Sequence, residues 1–217
     1  MKTILIAIIT ILVAILIFKK TNTRNRDLVP IIENIEGLQK QSILMDDDIF
    51  WQVIESCKSD SEEETLNNIR RSLNQYSAVD IIGFQLRFRT LIAESYHSDL
   101  WCACYIINGG CSDDGFEYFR YWLLSQGQTV FENAIENPDN LATIVKNRLI
   151  NSYELEPIAY LPNEIFELKT GKAIYDYIDE DAFYDQLKLN SNIEFSWKED
   201  DPESMKAICP KLYNKFN

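Results

Sequence analysis

Histidine occurs once, as His97, in a chain of 217 residues. A metal site built from several imidazoles is therefore excluded, and no Ser-His-Asp or Cys-His arrangement is visible along the chain. Glycine and proline are scarce as well, with seven and six residues, so few tight turns are available. Strand signals are almost missing, since only residues 193–197 alternate briefly. There is no internal repeat and no low-complexity tract. Basic residues are the minority, 21 against 34 acidic. Residues 1–26 hold five basic residues and no acid, which leaves 16 basic and 34 acidic residues in the remainder, a net charge of −18. Such a surface repels phosphate backbones, so nonspecific nucleic-acid binding is not expected. It attracts a basic partner, although solubility alone also explains a charge of this sign. At 46% hydrophobic and 25% charged, the chain has the balance of a folded globular protein.

The first residues differ from the rest. Residues 3–18 read TILIAIITILVAILIF, sixteen residues with no charge. A helical membrane span takes about 20 residues, and Lys2 and Lys19 can extend this one by snorkelling. The segment is apolar on every face, unlike a buried helix of a soluble domain. No small-residue cleavage site follows it, as a signal peptide requires. The expectation is a single-pass membrane anchor over residues 1–20, followed by a linker over residues 21–44. Lys19, Lys20, Arg24 and Arg26 outweigh Lys2 and the α-amino group across the segment. The positive-inside rule then places the remaining domain in the cytoplasm. Five cysteines without repeated spacing do not resemble a disulfide framework, and reduced thiols acting as small buried hydrophobes are the simpler account.

From residue 45 onward, helix start signals recur. Asp46, Asp47 and Asp48 precede an apolar run, Ser61 to Glu64 has the pattern of a capping box, and Ser77 opens a long amphipathic segment. Residues 100–107 read as a central buried helix stopped by Gly109 and Gly110, and Ser112 is placed to cap the next one. Further helices are expected over residues 128–136, from Asp139 through Leu149, over 162–169 and from Pro202 to Cys209, with an aromatic-rich short helix or loop over 178–189. A short helix over residues 29–38 would interrupt the linker. The fold class is all-α: a compact multi-helix acidic domain over residues 45–217, preceded by the anchor helix.

Residues 100–127 read LWCACYIINGGCSDDGFEYFRYWLLSQG. This stretch closely resembles the signature of a bacterial family catalogued as domain of unknown function 4240. Asp48, Phe50 and Trp51 match the acidic start and Phe-Trp pair with which that family opens. Asp200, Asp201, Pro202 and Glu203 match the acidic helix start with which it closes. The resemblance implies one domain over about residues 45–217 and transfers no activity.

The same stretch holds the polar residues most suited to a site. Asp113 and Glu117 stand four apart, so they share a helix face; Asp114 is adjacent, and Arg120 lies three beyond Glu117. Asn108, Gly109 and Gly110 form the preceding turn, with Trp101 upstream and Ser112 at the helix start. These nine residues form the candidate binding set, and they suit a cation or a cationic ligand. The competing reading is helix capping by Ser112, Asp113 and Asp114, with Glu117 and Arg120 as a surface pair. His97 falls about 15 Å away along its own helix, which disfavours a pair with Asp113. Cys102 and Cys104 point in different directions on a helix and cannot easily share a metal. No metal site and no cofactor is expected, and no catalytic residue is identified. The expected function is a membrane-tethered interaction domain for a protein with a basic surface, such as an immunity or antitoxin-like protein that masks a basic effector. A metal-dependent enzyme using Asp113, Asp114 and Glu117 is the alternative.

Overall fold

Hydroxyl and carboxylate side chains start six of the ten α-helices described. The computed structural model describes residues 28–146, 153–187 and 193–217. Helix α1 (Asp47–Cys57) is capped by Asp46, whose carboxylate accepts from Ile49 N–H. In α2 (Glu62–Leu73), Ser61 accepts from Glu64 N–H, but Glu64 turns to Ser59 Oγ, so only half of the capping box forms. The full reciprocal box occurs at α3 (Ala78–Glu94), between Ser77 and Asp80. Then follow α4 (Ser98–Asn108), α5 (Asp113–Ser125) and α6 (Gln128–Glu136). After two 3-10 turns, at Pro138–Thr143 and Glu156–Tyr160, come α7 (Leu161–Thr170) and α8 (Glu180–Gln186). The chain closes with α9 (Pro202–Ile208) and α10 (Pro210–Phe216). The domain is all-α, and among the described residues there are only two isolated bridges and no strand.

Two expected helices are replaced. Asp139 does not start a long helix. A 3-10 turn capped by Asn137 stands there, and Asp139 is buried. Its Oδ1 accepts from Lys211 N–H and Leu212 N–H, both at 2.9 Å, and so fastens the start of α10. A carboxylate at that position needs donors once it leaves water, and the free N–H groups of a helix start supply them. The second replacement lies at residues 29–38. That stretch is extended, with a turn at Gly37, and it runs across the helices as a strap.

The strap is fixed along its length. Glu33 N–H donates to the Lys169 carbonyl at 3.0 Å, Ala78 N–H donates to Glu33 Oε2 at 2.8 Å, and Asn74 Nδ2 donates to the Val29 carbonyl at 3.0 Å. Farther on, Gln41 and Tyr177–Asp179 exchange two backbone bonds. Met45 N–H donates to the Gly83 carbonyl at 2.9 Å, in the middle of α3. Residues 28–44, read from sequence as linker, are thus joined to the helices. The expected anchor over residues 1–20 lies outside the described residues, and among the described residues no helix is long and apolar enough to cross a membrane.

Helices α3, α4 and α5 supply the centre of the core, with Phe84, Ile106, Phe116 and Phe119 buried. Helix α7 packs against α2 and α3, held at its edge where Arg70 Nε meets both oxygens of Glu164 at 3.0 and 3.1 Å. Arg89 of α3 reaches α8 and donates to Glu180 at 2.9 and 2.8 Å, with its guanidinium 4.5 Å from the Phe183 ring centroid. Helices α9 and α10 close over α4, where Trp197 Nε1 donates to the Ser98 carbonyl at 2.9 Å.

The crossing of strap and α3 is a sharp test of this packing. A Cβ placed on Gly83 would stand 2.9 Å from Met45 N and 3.3 Å from the Ile43 carbonyl oxygen, both backbone atoms. Gly83→Ala gains about 1 kcal/mol in helix propensity, but the overpacking costs about 1–3 kcal/mol. The expected result is a net loss of about 1 kcal/mol in chemical denaturation; an alanine variant more stable than the parent would show that the strap does not cross there.

Candidate functional site

The cavity that meets the candidate residues runs beside α4. Its volume is about 860 Å³. Of α4 itself only Trp101 lines it, with Tyr96 from before the helix and Cys111 from after it. The Cys111 carbonyl meets the Trp101 indole at 3.2 Å and Tyr96 lies 5.9 Å from it, so the lining gathers around that ring as an open groove.

One wall is aromatic. Trp101 stacks on Phe116 with centroids 4.6 Å apart, and Tyr96 lies 5.9 Å from each of them. The facing wall comes from residues 195–199. Phe195 approaches Trp101 edge-on at 5.4 Å, and Trp197 stands 5.8 Å from Phe195. Tyr96 and Phe195 are exposed at 39% and 50%, large values for rings in van der Waals contact with a core. Trp101 is anchored by its Nε1, which donates to the Cys111 carbonyl at 3.2 Å.

The start of α5 supplies the charge. Ser112 Oγ accepts from Gly115 N–H at 3.2 Å, so the capping reading holds for this residue. Asp113 and Asp114 occupy the first two helical positions, line the groove and are exposed. Lys198 and Glu199 complete the lining. Three carboxylates against one ammonium leave the lining at net −2.

The nine candidate residues divide into three groups. Trp101, Ser112, Asp113 and Asp114 meet in the groove. Gly109 and Gly110 end α4 with φ of 73° and 138°, and both N–H groups donate to the Tyr105 carbonyl. These two and Asn108 shape the turn without lining the cavity. The positive φ at Gly109 is the ordinary stop of a helix and favours glycine for lack of a Cβ. Glu117 and Arg120 do not form the expected surface pair. Tyr121 Oη donates to Glu117 Oε1, and burial followed by that bond pushes the Tyr121 phenol up. Beside it, the hydrogen bond to Glu156 raises Tyr160 to about 12.

Arg120 turns inward and is only 7% exposed. Its Nη1 donates to the Ile92 carbonyl at 2.6 Å, near the end of α3, and its Nε donates to the Phe116 carbonyl. The guanidinium lies 4.8 Å from the Phe116 centroid and 5.1 Å from that of Tyr96. It thus backs the aromatic wall from inside the molecule. Burial pulls its pKa down, opposed by the nearby Glu117 charge.

Cys104 and Cys111 are joined in a disulfide with Cα atoms 6.2 Å apart, which corrects the expectation of five reduced thiols. The bond spans the turn that connects the two helices lining the groove. Cys57, Cys102 and Cys209 are free and buried, in keeping with small hydrophobes. Among the described residues, no group of three or more His, Cys, Asp or Glu is placed to hold a metal ion. Asp113, Asp114 and Glu117 thus do not converge as a ligand set. His97 is exposed before α4 and its side chain makes no cap bond.

Sequence reasoning missed Tyr96, Phe195, Trp197, Lys198 and Glu199. The signal was present in residues 193–197, whose alternation reads as a strand. In the structure it is an irregular segment with no strand partner. Its aromatic residues serve the groove and the core instead.

The family model described as "Protein of unknown function (DUF4240)" matches residues 45–168, more than half of the chain, and the chain belongs to this family. The match covers α1 through most of α7 and stops before the 195–199 wall. No curated protein and no solved structure matches the chain.

The disulfide has a direct chemical check. In denaturant without reductant, three of the five cysteines are expected to react with a thiol reagent, and all five after reduction. Five reactive thiols before reduction would remove the bond from the native protein.

Proposed function

We propose that the chain is a non-catalytic binding protein that seats a basic segment of a partner protein in the groove beside α4. The single observation that carries this reading is the combination of an open, aromatic-walled cavity of about 860 Å³ with the exposed carboxylates of Asp113, Asp114 and Glu199. Aromatic walls supply contact area at small entropic cost, and the carboxylates set the sign of what enters. A net charge of −18 outside residues 1–26 steers a basic partner toward the domain before contact. Masking of a basic effector, as an immunity or antitoxin-like protein does, is the finer form of this reading.

Residues 3–18 support a membrane tether in the full chain. The flanking positive charge favours a cytoplasmic domain. The Cys104–Cys111 disulfide supports a second reading, with the domain in an oxidising compartment. Protease accessibility in intact cells separates the two orientations.

For the binding reading, the test is a titration of the full chain in mild detergent with basic, neutral and acidic peptides. Basic peptides are expected to bind, and more weakly as salt rises. The double variant Asp113→Asn, Asp114→Asn is expected to weaken them tenfold or more, since a charged hydrogen bond contributes about 1.5–3 kcal/mol. Binding unchanged in that variant would place the partner on another face.

A further inference from the structure

Beyond the sign of the ligand, the groove has the features that distinguish one cation from another. Its walls are rings with accessible surface: Tyr96 and Phe195 are exposed at 39% and 50%. Trp101 and Phe195 touch edge-on at 5.4 Å and Phe195 and Trp197 at 5.8 Å, so the rings form one continuous aromatic surface in the lining. Asp113 and Asp114 sit at its end, and among the described residues neither side chain is taken up by a hydrogen bond or an ion pair. The site therefore offers stacking surface and free acceptors together.

The two cations meet this combination differently. A guanidinium is planar, weakly hydrated and carries five donors in a fixed fork, so it can stack on a ring and bond a carboxylate at once. An ammonium is compact and strongly hydrated, and loses more on leaving water for an aromatic wall. The chain already uses the first arrangement within itself. Arg89 lies 4.5 Å from the Phe183 centroid while both its Nη atoms bond Glu180, at 2.9 and 2.8 Å. Arg120 stacks on the inner side of the groove wall, against Phe116 and Tyr96. Asp113, Asp114 and Glu199 outnumber Lys198 in the lining, and they still do when the charge of Arg120 behind the wall is added.

We infer that the groove is an arginine pocket: it takes the guanidinium of a partner's arginine side chain against the exposed Tyr96 and Phe195 rings, with the Asp113 and Asp114 carboxylates accepting its N–H donors. This rests on the reading of the groove as the seat of a basic segment. It adds the side chain that segment must present and the discrimination the site makes.

The test is calorimetric titration of the full chain in mild detergent with three decapeptides. They are Gly-Ser sequences identical except for a central arginine, lysine or trimethyl-lysine. The arginine peptide is expected to bind at least tenfold more tightly than the lysine peptide. Phe195→Ala, at a half-exposed position where folding is spared, is expected to bring that ratio to within twofold. Arginine and lysine peptides binding equally to the parent chain would overturn the arginine pocket and leave the basic-segment reading standing. A trimethyl-lysine peptide binding most tightly would also overturn it, in favour of a cage for quaternary ammonium. If none of the three binds while the chain is folded by circular dichroism, both readings fall.

Discussion

The groove depends on the buried guanidinium of Arg120. Among the described residues it forms no ion pair, and its shortest hydrogen bond is to the Ile92 carbonyl near the end of α3. A cation near a helix C-terminus is stabilised by the unsatisfied carbonyls and the negative end of the dipole. That bond ties α5 to α3 at the level where Tyr96 leaves the core. The flat face of the same group supports Phe116 and Tyr96, and Phe116 in turn supports Trp101. Remove the guanidinium and the Ile92 carbonyl keeps only the Ser95 hydroxyl of its two side-chain donors, while two rings lose their backing. The aromatic wall is thus a consequence of one buried charge, placed by the Glu-Tyr-Phe-Arg run on α5.

Much of the fold was legible because the helix starts obey local chemistry. Asp46, Ser61, Ser77, Ser112 and Asp201 each cap the helix that the sequence assigns to them. Gly109 stops α4 by the expected positive φ. Asp139 shows where such reasoning ends. Its sequence context is that of a helix start, and it does bond helix N–H groups, but those of α10, some 70 residues later. A cap supplied across the fold leaves no local trace. The strap is similar: its hydrogen bonds go to Asn74, Ala78, Gly83 and Lys169, none of them neighbours in sequence.

The candidate site was legible in half. The Ser112–Asp114 start and Trp101 lie close together in the chain, and the fold brings them to one opening. Glu117 and Arg120 fail for a geometric reason. They are three apart on an amphipathic helix, and the stripe that carries Phe116 and Phe119 takes Arg120 inward with it. The other wall was legible only as the brief alternation of residues 193–197, because its place is set by distant contacts of Phe195 with Trp101 and of Trp197 with Ser98 and Tyr105. The family match stops at residue 168, so the groove has one wall inside the matched region and one outside it. Variation of the outer wall offers a simple route by which a shared helical frame could meet different partners.

Under the proposed binding role, charge and shape would divide the work of recognition. The excess of acid over the whole domain acts at a distance and is screened within about 8 Å at physiological salt. It can speed encounter but cannot select one basic side chain over another. Selection needs contacts that differ between cations, and the groove provides rings and carboxylates within one opening. The Cys104–Cys111 bond adds to this by closing the turn between α4 and α5, so the Trp101 wall and the Asp113–Asp114 end are held by one covalent link. Closing a loop this short restricts the unfolded chain by about 2–3 kcal/mol. Preorganised walls of this kind lower the entropy lost when a partner binds. The features that make the groove rigid are therefore the same ones that would make it selective.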